Sequence, residues 1–360
     1  MFKRNETIGG WQTGILLFVL FFANKILVLP SLLYDQAGIG GIYVPVILFL
    51  FEFALLFLFY GLKKKYPEQS FGQILKKFGK FVYYLIFVFL MFYFLGKTVL
   101  LYNITYIFFK NIIYKDTSNI LFLFCFLPIM IHLAVSGLRV MGRTMQLFFP
   151  IILIMVVFCI VVGVLGIDTN TMLFTSKSSD VFLSTFRHIS AFGDTIFLFV
   201  VMDKINVKKG EWKVVFSLAG LSAICVIAVC AIFIFSYTYT SYMHPFALFE
   251  IMSYVKETGG IGRIDIISVV VIIILTYFHL AICMKGFLDS FVETFKLNNI
   301  YGSISFQIVF LILINYLVLN VEKAISYGEV YLPYISAIPF VIIPIFAIIS
   351  LFFKKREGRK

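Results

Sequence analysis

The chain has 360 residues, 61% of them hydrophobic and only 13% charged, and carries a net charge of +12. Its mean hydropathy is +1.02. These values exclude a soluble globular domain, because apolar runs of about 20 residues recur along the whole length, each able to cross a hydrocarbon core of roughly 30 Å. Lipid offers no partner to an open backbone, which leaves helices or a closed barrel. Runs such as residues 269–275 do not alternate apolar and polar side chains, so they argue against a barrel.

The hydrophobic runs predict an all-α polytopic protein with about ten transmembrane helices, forming a single transmembrane domain over residues 1–360. Lys3 and Arg4 precede the first run, and no small-x-small cleavage site follows it, so it reads as a retained helix. That span covers roughly residues 10–33 and holds Asn24 and Lys25; the second, roughly 41–62, holds Glu52; the third, roughly 81–109, holds Lys97. Spans four and five fall at roughly 119–137 and 144–166, and span six, roughly 182–203, contains Gly193 and Asp194. A seventh follows at roughly 213–237, and the last three at roughly 264–287, 303–321 and 332–353. Between the seventh and eighth lies a segment led by Pro245, readable as a short surface helix or as a solvated connector.

Orientation follows from the flanking basic residues, since positive loops stay in the cytoplasm. With the N-terminus inside, 21 of the 30 Lys and Arg residues fall on the cytoplasmic side, six fall outside, and Lys25, Lys97 and Arg187 lie within spans. Both termini are therefore expected in the cytoplasm. The positive charge reflects topology and contact with anionic lipid, not nucleic-acid binding, because it is divided among short loops.

Charge near a bilayer centre is costly, so each intramembrane ion marks a candidate site. Lys25, Glu52, Lys97 and Asp194 qualify, and their two positive and two negative charges can neutralise one another. Glu52 and Lys97 also read as a packing pair between helices 2 and 3. Lys25 and Asp194 are expected to face each other at the midplane, where Asn24 and Gly193 tolerate irregular backbone. Arg187 and His188 read as interfacial anchors, and His132 and His279 as histidines near inner helix ends satisfied by carbonyls, with a proton-relay role as the alternative. Arg263 and Asp265 read as an anchor at the outer end of helix 8. Cys125, Cys159, Cys225, Cys230 and Cys283 sit in apolar runs with no metal-ligand spacing. No cofactor is expected, and no nucleophile motif or nucleotide loop points to an enzyme.

Ten spans divide as five plus five, with the interrupted helices 1 and 6 at equivalent places. The division resembles the LeuT-like inverted repeat of the amino acid-polyamine-organocation superfamily, with possible repeats at residues 10–166 and 182–353. Three stretches carry a closer resemblance: Gly137-Leu138-Arg139-Val140-Met141-Gly142-Arg143 running into Phe149-Pro150; His244-Pro245 followed by Arg263-Ile264-Asp265; and Ile26-Leu27-Val28-Leu29-Pro30 with Ala37-Gly38. Together they resemble spore germination proteins of the GerAB type, the permease-like B subunits of nutrient germinant receptors. The chain departs from the pattern in having Asn24-Lys25 where the helix-1 break usually carries glycine, and Asp194 where Glu is more usual.

The resemblance implies a multi-pass protein of the spore inner membrane that binds a small nutrient, an amino acid by this reading. Signalling would then pass to an A-type membrane subunit and a C-type lipoprotein. Asn24, Lys25, Glu52, Lys97, Gly193 and Asp194 are the implied ligand-binding residues. Two other readings remain open: an autonomous proton-coupled amino acid permease, and a scaffold subunit whose pocket is vestigial.

Overall fold

The computed structural model describes residues 7–116, 118–165, 167, 178–237, 240, 243–259, 265–296, 300–317 and 321–352. Fourteen α-helices occur among them. The first span is split: α1 covers Gly10–Phe22, residues 23–28 form turns, and α2 resumes over Leu29–Ala37 with Pro30 in its first turn, where the missing N–H costs nothing. A short 3-10 segment at Gly38–Ile42 leads into α3, Tyr43–Lys65, which passes Glu52 unbroken.

The short α4, Phe71–Leu75, begins with a capping box in which the Ser70 hydroxyl accepts from the Gln73 N–H and Gln73 accepts from the Ser70 N–H. Next come α5 (Lys80–Phe108), α6 (Asn119–Ser136) and α7 (Leu138–Leu165). The sixth span is split like the first, into α8 (Ser178–Arg187), a 3-10 turn at His188–Ala191, and α9 (Ile196–Val200). The chain closes with α10 (Trp212–Tyr237), α11 (Ala247–Gly259), α12 (Asp265–Phe295), α13 (Ile300–Leu317) and α14 (Val321–Phe352).

This order reproduces the ten expected spans, with three differences of extent. The fifth begins at Leu138 instead of near 144, because Gly137, at φ +93°, ends α6 and turns the chain straight into α7. The eighth runs on to Phe295, because its polar tail is bonded within the protein: Asp289 meets Lys204 at 2.9 Å and Lys285 at 3.1 Å, and the Tyr83 hydroxyl donates to Glu293. The tenth starts at Val321.

Two packings organise the interior, α1 against α10 and α5 against α12. α1 is buried almost throughout, whereas α7 exposes Leu147, Ile151, Ile154, Val161 and Leu165, an apolar stripe at helical spacing that suits lipid. The segment after Pro245 is a helix, α11, and not a solvated connector. Phe246, Ala247, Leu248, Ile251 and Met252 are buried, and the Ala247 and Leu248 N–H groups donate to the Leu27 and Ile26 carbonyls. The start of α11 thus satisfies carbonyls left free by the break in the first span. Arg263 lies outside the described residues. Asp265 opens α12, where the anchor was expected, and is buried.

Candidate functional site

The break of the sixth span is set by backbone geometry at two residues. Phe192 is extended, and Gly193 follows at φ +81°, the left-handed region that glycine adopts without strain. A Cβ at Gly193 would lie 2.6 Å from the Tyr93 hydroxyl and 3.0 Å from the Phe340 ring, so both conformation and space require glycine. Unwinding frees backbone groups that lipid cannot satisfy, and side chains of α3 and α5 take them up.

Glu52 receives the donors. Its Oε1 accepts from the Gly193 N–H at 2.5 Å and the Asp194 N–H at 2.8 Å, while Oε2 accepts from the Thr195 N–H at 3.1 Å and the Thr195 hydroxyl at 2.6 Å. The acceptors turn to α5. The Tyr93 hydroxyl lies 3.1 Å from the Phe192 carbonyl and 3.0 Å from that of Gly193, and Lys97 Nζ donates to the Phe192 carbonyl at 2.8 Å.

Asp194 then joins the two broken spans. Its Oδ2 accepts from Lys25 Nζ and its Oδ1 from Lys97 Nζ, each at 2.5 Å. Lys25 also donates to the Leu20 carbonyl at 3.4 Å, and its ammonium lies 4.6 Å from the centre of the Phe192 ring. Lys25, Glu52, Lys97 and Asp194 are all at most 4% exposed. Each such ion loses hydration worth several kcal/mol, which is offset only when charges pair and every donor and acceptor finds a partner. Here two ammonium and two carboxylate groups sum to zero.

The expected Lys25–Asp194 pairing is present. The Glu52–Lys97 packing pair is not: both residues bind the helix-6 break instead. His279 is not near an inner helix end; its Nε2 lies 3.8 Å from Asp194 Oδ1, and its buried Nδ1 has no hydrogen-bond partner among the described residues. His132 is exposed, 3.5 Å from the Ser136 hydroxyl. Arg187 is exposed, as an anchor at the interface would be, but His188 is buried, and both line a recess beside Asn24.

Tyr93 and Thr195 escaped the sequence reading, and His279 was noticed in it but not joined to Asp194. A tyrosine in an aromatic-rich run carries no local signal, and His279 lies 85 positions from Asp194, so only folding brings them together.

The fold is that of a LeuT-like transporter. A Na+-coupled sialic acid symporter, solved in a substrate-bound outward-open state, matches with a TM-score of 0.65 over 97% of this chain and 80% of the symporter chain. Sequence identity is 10%, so this likeness concerns architecture alone. Comparison with curated protein sequences gives no match. The sequence profile of the spore germination proteins, the spore permease family, matches residues 7–328. With two interrupted spans joined by buried charge and a family profile over most of its length, this chain belongs to the spore germination protein family, as a permease-like multi-pass membrane protein.

Proposed function

We propose that this protein is the permease-like B subunit of a spore nutrient germinant receptor, lying in the spore inner membrane with both termini in the cytoplasm. It binds a small nutrient, by this reading an amino acid, and passes a conformational signal to an A-type membrane subunit and a C-type lipoprotein. It acts by binding, not by catalysis.

The observation that carries the reading is the neutral four-charge cluster where the two broken spans meet. A zwitterion offers the same two charges: its ammonium can replace a lysine on Asp194, and its carboxylate can take up the displaced lysine. Binding thereby exchanges an internal ion pair for a ligand-mediated one. A nutrient shifts the protein between states only through its differential affinity for them, and this exchange supplies such a difference.

The test is deletion of the reading frame. Spores lacking the protein are expected to lose their response to one set of nutrients while vegetative growth is unchanged. Normal germination with defective amino acid uptake by growing cells would overturn the receptor reading in favour of an autonomous proton-coupled permease. That second reading draws on His279, a proton-accepting ring beside Asp194 with one nitrogen unpartnered among the described residues.

A further inference from the structure

On the α8 side of the charge cluster, a small open recess lies between the second half of the first span, the second half of α5, and the turn that follows α8. Asn24, Arg187, His188 and Ser190 supply its polar wall, and Leu32 and Ile104 part of its apolar wall. It adjoins the cluster directly, since Asn24 precedes Lys25 and the lining residue Ala191 precedes Phe192.

Three features point to the kind of molecule it takes. Arg187 is exposed and no acidic side chain lines the recess among the described residues, so the bias of its described wall is positive. His188 is only 5% exposed, yet its Nε2 has no hydrogen-bond partner among the described residues. An unmet buried nitrogen is costly, so a partner is expected to arrive from outside the chain. The remaining wall is mostly aliphatic.

We propose that this recess is a binding site for a small carboxylate with a short aliphatic body, held by the Arg187 guanidinium and His188 Nε2. It is distinct from the midplane cluster, and its position as an antechamber to that cluster rests on the receptor reading above. A planar guanidinium matches a carboxylate with two parallel N–H groups, and His188, the next residue along the turn, supplies a further donor when its Nε2 is protonated. An ammonium probe finds no carboxylate among the described residues that line it.

The test follows the rate at which phenylglyoxal modifies Arg187, read by peptide mass spectrometry on the full chain in nanodiscs, with exposed Arg143 as internal control. Butyrate and valine are expected to slow modification of Arg187 severalfold and leave Arg143 unchanged, whereas valinamide and butylamine protect neither. In His188→Leu, protection by butyrate is expected to fall while the protein remains abundant. Equal modification with every probe, or protection by butylamine, would overturn the proposal. So would protection produced equally by exchanging phosphatidylcholine for phosphatidylglycerol, since the anion would then be a lipid headgroup. Spore response is read separately: protection without a germination defect on deletion keeps the carboxylate site and removes the receptor reading, and a germination defect without protection does the reverse.

Discussion

Removing a single charge from the midplane upsets the balance differently at each position. Sequence spacing suggests a lone Lys25–Asp194 pair, so that losing Lys25 would strand the carboxylate. Lys97 occupies the second oxygen of Asp194 and changes that expectation. In Lys25→Ala the carboxylate keeps one ammonium, whereas Asp194→Ala leaves two ammonium groups without their carboxylate. Breaking a buried pair by deleting one partner costs about 3–5 kcal/mol. Asp194→Ala is therefore expected to deplete the protein from the membrane most, Lys25→Ala less, and the double change is expected to recover abundance relative to Asp194→Ala because Lys97 and Glu52 again balance. None of the three should respond to nutrient. Membrane abundance and melting temperature measured across the series check this; a Lys25→Ala protein weaker than Asp194→Ala would contradict the shared-carboxylate arrangement.

Among the elements, the side of the cluster away from the recess is held shut by polar contacts between helix ends. Lys204, just after α9, pairs with Asp289 on α12, which also meets Lys285, and Lys63 on α3 donates to the Met202 carbonyl at 2.8 Å. The N-terminal segment joins them: the Ile8 N–H donates to the Lys204 carbonyl, and the Asn206 N–H to that of Ile8. Both broken spans are thus tied together at this end, and a motion that opens it must first separate these contacts. Cys283 lies between Asp289 and the cluster on α12 and is 1% exposed. In Asp289→Asn the charge pairing is lost, and maleimide modification of Cys283 in the solubilised protein should quicken severalfold relative to wild type. An unchanged rate would show that the ion pairs do not hold this side closed.

At the scale of the whole molecule, the excess of Lys and Arg on one side predicts its orientation. A membrane-impermeant thiol reagent applied to intact cells should label Lys115→Cys but reach Lys208→Cys only after permeabilisation; the opposite pattern would invert the topology and move the recess to the cytoplasmic side. The helical class, the number and place of the spans, and the four charged residues are all legible in the order of residues alone. Burial in lipid imposes a composition that can be read locally, and intramembrane ions stand out against it. The order of residues also places the two interruptions, because Asn24-Lys25 and Gly193-Asp194 are poor material for an unbroken apolar helix. How the charges combine depends on the packing of the helices. Glu52 receives the unwound backbone of a span 141 positions away, Lys97 shares Asp194 with Lys25, and His188 turns inward beside an exposed Arg187. A helix has several faces. A residue's place in the sequence gives its depth in the membrane, but the face it presents, and so its partner, depends on how the helices pack.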